Sequence, residues 1–382
     1  MRDAAIVVDA GRIAWFGPQA ECPSGEGEVL DAEDGCVVPG LVDCHTHTVF
    51  AGAREGEFVQ RIEGKSYADI ARAGGGIRST VAAVREASHD ELMALTLPRL
   101  TRMLQNGVTT VEIKSGYGLT VADEIKMLEV VARLRKLQPI ELVGTYLAAH
   151  TIPRDFEGRA NEYLDAVLDD KVLARLRDEG LAEFCDVFCE TTAFSLEQSR
   201  RVLTAGKRFG LSPKLHADQI TPMGASRLAG EVGAISADHL ERIDEAGIAA
   251  LRKAGAVAVL LPGCSFFLGV EQAPARRLIG ADVPVALATD YNPGSSMVES
   301  LPLVMGIGCT QMRMTPTEAL IAATANAAAA LDRHGRVGAI EVGMQADLVI
   351  LDVPNHRRWL YEPGRNCVRA VVKKGRVVVG GD

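Results

Sequence analysis

Two histidines one residue apart, His45 and His47, close the apolar run Pro39-Gly40-Leu41-Val42-Asp43-Cys44. On a β-strand alternate side chains share a face, so both imidazoles can address one metal ion while Thr46 turns away. Alone, such a pair can arise by chance or sit on a surface strand. Three more groups of similar chemistry end apolar runs further along: His216 in Pro213-Lys214-Leu215-His216, His239 in Ser236-Ala237-Asp238-His239, and Asp290 in Leu287-Ala288-Thr289-Asp290. Together they make five potential ligands or acid–base groups. Imidazoles and a carboxylate around an open position are the donors of a catalytic divalent metal, which lowers the pKa of bound water toward neutrality.

These groups need a scaffold that brings strand ends together. Eight apolar runs of strand length recur with helical patterns between them: Leu41 to His47, Val108 to Lys114, Glu141 to Leu147, Glu183 to Phe188, Ser212 to His216, Ala234 to His239, Ala256 to Leu261 and Val283 to Asp290. This pattern predicts an α/β fold, a (β/α)8 TIM barrel with insertions, whose outer ring includes helices over Asp123 to Leu137 and Ser195 to Phe209. Active sites of such barrels lie at the C-terminal ends of the strands, where His45, His47, His216, His239 and Asp290 all fall.

Both chain ends read as β. Ala5 to Gly17 is a hairpin turning at Asp9 to Gly11, and Ala346 to Asp352 and Cys367 to Val379 are β-segments. The expected organisation is a small β-sandwich domain built from residues 1–38 and 338–382 around a barrel of residues 39–337. The remaining histidines belong to other contexts: His89 in a helix start, His334 after an alanine-rich helix, and His356 in the polar loop Pro354-Asn355-His356-Arg357. All three are expected to be solvated or capping residues.

The composition is that of an ordinary globular protein, 47% hydrophobic and 24% charged over 382 residues. A formal net charge of −9 argues against a nucleic-acid-binding face. Met1 to Gly17 has neither a basic start nor a continuous apolar core, and no segment is long and apolar enough to cross a bilayer, so a cytoplasmic protein is expected. The eight cysteines, without a Cys-x-x-Cys pair, fit that compartment, most of them as small core residues, with Cys44 read as structural.

His45-x-His47, His216, His239 and Asp290, in that strand order, resemble the amidohydrolase superfamily, and Gly338 to Ile350 resembles its returning β-domain. Thr46 to Glu55, Gly74 to Ile77, Glu112 to Leu119 and His216 to Gln219 are similar to the branch that opens an imidazolone ring carrying a propionate. The resemblance implies a homodimeric enzyme of histidine degradation, hydrolysing the cyclic amide 4-imidazolone-5-propionate to N-formimino-L-glutamate. It implies one divalent metal, zinc or iron, held by His45, His47, His216 and Asp290, whose hydroxide attacks the lactam carbonyl. His239 would steady the oxyanion, and Asp290 would carry the proton to the leaving nitrogen. Arg54 would bind the propionate, and Tyr117, His150, Gln219, Asn292, Gly294 and Ser295 would contact the substrate.

Four residue readings need separate statement. Gln219 stands where some relatives carry a catalytic glutamate; an amide exchanges no such proton, so Gln219 is expected to hydrogen-bond the ring. Lys114 could be the carboxylated bridge of a two-metal site, but a lysine turned to solvent or paired with Glu112 is the expectation. Gly74 to Gly76 lacks the lysine of a phosphate loop and is read as a lid near the barrel mouth. Asp290 could instead cap the turn Tyr291-Asn292-Pro293-Gly294. The competing functions are a cyclic deaminase, disfavoured by a carboxylate-binding arginine, and a non-catalytic scaffold barrel, disfavoured by the full ligand set.

Overall fold

The computed structural model describes residues 1–25, 27–65 and 75–380. The N-terminal hairpin pairs β1 (Ala4–Asp9) with β2 (Arg12–Pro18) around the expected turn. Next come β3 (Val37–Pro39) and the eight barrel strands: β4 (Leu41–Asp43), β5 (Val108–Lys114), β6 (Glu141–Ala149), β7 (Phe184–Val187), β8 (Ser212–Ala217), β9 (Ser236–His239), β10 (Val257–Leu260) and β11 (Val285–Leu287). They lie side by side in chain order, all parallel. Finally β12 (Leu348–Leu351), β13 (Val368–Lys373) and β14 (Arg376–Val379) join β3 in an antiparallel four-stranded sheet of order β14-β13-β12-β3. Both chain ends therefore contribute to β-structure outside the barrel, as the sequence predicted.

Alternation along each barrel strand sorts its side chains into two environments. Val111, Ile113, Leu142, Tyr146, Leu215, Ala258, Leu260 and Leu287 belong to the cluster that includes the surrounding helices. Val42, Cys44, Val143, Phe184, Val257, Val259, Ala286 and Ala288 form a second one, joined by Ala327, Ala328 and Leu331. Cys44 is thus a buried packing residue. Strands buried on both faces read as continuous apolar runs, which is why all eight were visible in the sequence.

The outer helices start at local signals. Ser88 and Ser195 each accept a hydrogen bond from the backbone of the third helical residue, Glu91 and Gln198, whose side-chain oxygens in turn accept from the backbone N–H of the cap. Each such cap stabilises its helix by about 1 kcal/mol. The helix expected over Asp123 to Leu137 runs Val121–Leu134 behind Thr120, and that over Ser195 to Phe209 runs Leu196–Arg208.

Two strands, β4 and β11, stop three or more residues before the C-terminal ends of their apolar runs. Beyond Asp43 and Leu287 the backbone leaves regular strand geometry, so His45, His47 and Asp290 lie past the strand ends. This stretch closes the barrel by single bonds: Asp290 N–H donates to His45 O at 3.0 Å and His47 N–H to Tyr291 O at 3.0 Å. On the other side Lys114 N–H donates to Thr46 O at 2.9 Å. His356 is also corrected. It opens the short helix His356–Tyr361 behind Asn355, whose side chain takes the first backbone N–H groups, and does not sit in a loop. His89 and His334 are respectively paired with Glu129 and exposed. Gly74 of the expected lid lies outside the described residues.

Candidate active site

His45, His47, His216, His239 and Asp290 meet at the strand-end face of the barrel, each 2% exposed or less. The donor atoms of His45, His47 and His216 lie within 4.8 Å of one another, and so do those of His45, His239 and Asp290. Asp290 Oδ1 is 3.5 Å from His45 Nε2 and 3.6 Å from His47 Nε2. Buried Nε2 atoms of His45 and His216 have no hydrogen-bond partner. An unpaired polar atom in a buried position is costly unless something else satisfies it, and a cation among imidazole nitrogens and a carboxylate would do so. The donor set suits a divalent ion such as zinc or iron.

Behind these donors lies a layer of buried charge that sequence reading mostly missed. Asp238 Oδ2 accepts from His45 Nδ1 at 2.6 Å, leaving Nε2 as the free nitrogen. Asp186 Oδ2 is 3.0 Å from His216 Nδ1, close enough for an ion pair but off the line of a good hydrogen bond. Lys114, read as solvent-turned or paired with Glu112, is fully buried and paired. Its Nζ is 3.0 Å from Glu112 Oε1, 2.8 Å from Asp186 Oδ2 and 3.5 Å from Asp238 Oδ2. Burial disfavours its charge, yet the three carboxylates outweigh that and push its pKa up. Burial would raise Asp186, but His216 and Lys114 hold it well below the usual carboxylate range. The available signal was charge at alternate positions of strands otherwise apolar: Glu112 and Lys114, Asp186, Lys214, Asp238.

The reactive groups sit on strained backbone. His239 and Asp290 adopt φ of +79° and +51°, and Asp218 one of +48°. Left-handed geometry costs a non-glycine residue about 1–3 kcal/mol and persists only where surrounding bonds enforce it. Asp218 is so enforced: its carboxylate accepts from the backbone N–H of Gly224, Ala225 and Ser226 and from the Ser226 hydroxyl. Glu190 accepts from the N–H of Ile220 and Thr221 at 3.0 Å each. Gln219 is held between these two anchors.

A pocket above the donors is lined by His47, Tyr117, His150, Phe188, His216, Gln219, His239, Asp290, Asn292 and Ser295. Of the expected substrate contacts it gathers Tyr117, His150, Gln219, Asn292 and Ser295; Phe188 had not been expected. His150 stacks on His47 at 5.2 Å and 13°, and its Nδ1 is 3.0 Å from Gly116 O, so Nδ1–H donates there. Burial, then the nearby His216, brings His150 down to about 3, so the ring is neutral at pH 7. Burial would lower His239 too, but Glu241, with Nδ1 to Oε1 at 3.8 Å, raises it overall. Burial raises Asp290 against the pull of His239 and His216.

Arg54 and Gly294 do not line the pocket but touch each other beside it. A Cβ on residue 294 would collide with Arg54 Nη1. Glu57 accepts from Arg54 Nε at 3.0 Å and Nη2 at 2.7 Å, leaving Nη1 free of that pair. The turn after Asp290 is anchored by Asn292 instead of by Asp290: Asn292 Oδ1 accepts from Gly294 and Ser295 N–H, and Nδ2 donates to Asp290 O. From this turn the Asp290 carboxylate accepts only the long bond of the Ser295 hydroxyl, at 3.4 Å, and its other oxygen is left to the site.

The Amidohydrolase family profile matches residues 56–379. The chain is 49% identical over 385 aligned residues to the imidazolonepropionase of Geobacillus kaustophilus (strain HTA426), covering 99% of this chain and 91% of that protein. It is 47% identical to the imidazolonepropionase of Myxococcus xanthus (strain DK1622), covering 98% and 90%. Among solved structures, 5-methylcytosine deaminase from Klebsiella pneumoniae superposes with a TM-score of 0.77 at 16% identity over 99% of this chain and 95% of that one. A zinc-bound adenosine deaminase from Xanthomonas campestris gives 0.70 at 20% identity, covering 100% and 89%. At such identities these two share the fold alone, whereas the near-full-length relatives show the family. The chain belongs to the imidazolonepropionase family of the amidohydrolase superfamily.

Proposed function

We propose that this chain hydrolyses 4-imidazolone-5-propionate to N-formimino-L-glutamate in histidine degradation, with one divalent ion, zinc or iron, held by His45, His47, His216 and Asp290. The observation that carries the reading is near-full-length identity to imidazolonepropionases in a chain whose histidine and aspartate donors converge under a small pocket. The barrel, residues 39–337, does the chemistry, and segments 1–38 and 338–382 form its companion domain. The enzyme works as a homodimer in the cytoplasm.

Bound at this site, the ion supplies a Lewis acid and a water acidified enough to act at neutral pH. Asp290 takes a proton from the attacking water, the bond between the lactam carbonyl carbon and its ring nitrogen breaks, and Asp290 returns the proton to that nitrogen. The water oxygen ends in the new carboxylate. His239, whose pKa Glu241 raises, donates to the oxygen on which negative charge grows. His150, with Nδ1–H committed to Gly116, offers Nε2 as an acceptor for a substrate N–H. Gln219, held by its anchored neighbours, hydrogen-bonds the ring through its amide. Arg54, oriented by Glu57, presents Nη1 to the propionate, Gly294 leaves room beside that Nη1, and Tyr117, Asn292 and Ser295 shape the remaining wall.

The deciding experiment follows formiminoglutamate formation from freshly prepared imidazolonepropionate, using metal-stripped protein with and without zinc or ferrous iron. Metal-dependent turnover is expected. Fully loaded protein that leaves this substrate intact, yet releases ammonia from cyclic aminated bases, would overturn the reading in favour of a deaminase.

A further inference from the structure

Among the described residues, Lys114 is the one side chain with ion pairs to both carboxylates behind the ligand histidines. The same oxygen, Asp238 Oδ2, meets His45 Nδ1 at 2.6 Å and Lys114 Nζ at 3.5 Å. Likewise Asp186 Oδ2 meets His216 Nδ1 at 3.0 Å and Lys114 Nζ at 2.8 Å. The result is an unbroken chain, His45–Asp238–Lys114–Asp186–His216, across the barrel interior. Lys114 brings its compact ammonium from β5, and its partners come from the β4 end, β9, β7 and β8. An ammonium has three N–H groups, and Glu112 Oε1 at 3.0 Å takes the third direction.

We propose that Lys114 is a positioning residue for the metal centre: it fixes Asp186 and Asp238, and through them the ring orientation of His216 and His45, with no part as a bridging ligand. The inference rests on the metal site proposed above. A ligand histidine keeps its direction through the partner on its other nitrogen, and two such partners here share one cation. Removing the cation leaves two buried carboxylates free to repel each other and to turn both rings.

Lys214 provides the control. It too is a fully buried lysine inside the barrel, 3.1 Å from Glu112 Oε1 and 3.1 Å from Cys44 O, but the structure gives it no ion pair with Asp186 or Asp238 among the described residues. Lys114→Met and Lys214→Met therefore remove the same buried charge from two places.

The test is cobalt(II) binding to the full-length chain, read as affinity by chelator competition and as the visible d–d spectrum. Lys114→Met is expected to weaken cobalt binding about 10–100-fold and to shift the spectrum. Lys214→Met is expected to lower thermal stability while leaving both readings at wild-type values. Wild-type affinity and spectrum in Lys114→Met, or equal changes in the two variants, would overturn the proposal. So would two ions per wild-type chain with bicarbonate-dependent loading, which would make Lys114 a carboxylated bridge. If Lys114→Met fails to fold, Lys114→Arg keeps the charge but not the compact ammonium, and the same spectral shift is expected. A wild-type spectrum there overturns the proposal equally. A wild-type chain that binds no cobalt would instead remove the metal reading itself, and this inference with it.

Discussion

Asp238 receives the Nδ1–H of His45 at 2.6 Å, with both side chains fully buried and 193 residues apart in the chain. The bond selects the His45 tautomer whose Nε2 lone pair is free, and it can form only after the barrel has closed. Asp238→Asn should cut divalent-metal affinity about 10–100-fold. It should also cost about 1–3 kcal/mol of stability, because Ser236 and Lys114 lose part of the same acceptor. Chelator competition and urea denaturation measure the two effects separately.

Asp290 is expected to serve both as ligand and as proton carrier. Asp290→Asn keeps the shape of the side chain and should lower kcat by about 10²–10⁴-fold, the usual worth of a positioned acid–base group. The melting temperature should hardly move, because Asn292 anchors the following turn. Retained turnover in metal-loaded Asp290→Asn would assign the proton transfers elsewhere.

Arg54 and Gly294 make a linked pair. Arg54→Ala should raise KM about 10–100-fold through loss of a charge-assisted bond of about 1.5–3 kcal/mol, with kcat less affected. Arg54→Lys should not restore affinity, since an ammonium cannot direct two N–H groups onto Glu57 Oε2 and still present a third at the place of Nη1. Gly294→Ala, which brings a methyl group onto Arg54 Nη1, should raise KM in the same direction without touching the guanidinium's chemistry. A KM for Gly294→Ala equal to wild type would show that Arg54 does not hold the substrate from this position.

The pH profile follows from two opposite needs. In its proposed role His239 donates most strongly as the imidazolium, and its pKa is raised, so that form is complete at low pH and is lost as pH rises through the raised value. Asp290 must be ionised to accept; burial raises its pKa while no ion is bound, a bound dication pulls it back down, and activity falls where the loaded carboxylate takes up its proton. Glu241→Gln removes the carboxylate that offsets burial of His239 and should move the alkaline limb of kcat to lower pH while leaving the acid limb in place. Movement of both limbs together would contradict this assignment.

The eight barrel strands and all five polar groups at their ends could be read along the chain, because a strand buried on both faces is a short apolar run and a functional group at its end interrupts it. The hairpins at Ala4–Pro18 and Val368–Val379 were equally legible, since turn residues and apolar runs are local signals. Regular strand geometry at His45, His47 and Asp290 was not. These residues close the seam between the first and last strands, and one bond at a time replaces the ladder there.

The amino-acid order was enough to name the donors, the barrel and the family likeness, because each depends on residue type and short spacing. It could not say that Lys114 is buried, that it faces Asp186 and Asp238, or that Asn292 releases Asp290 from its turn. A charged residue on an apolar strand reads the same whether it meets water or another charge across the barrel. Closure of the barrel alone decides which strand ends face each other, and with them which buried charges must pair.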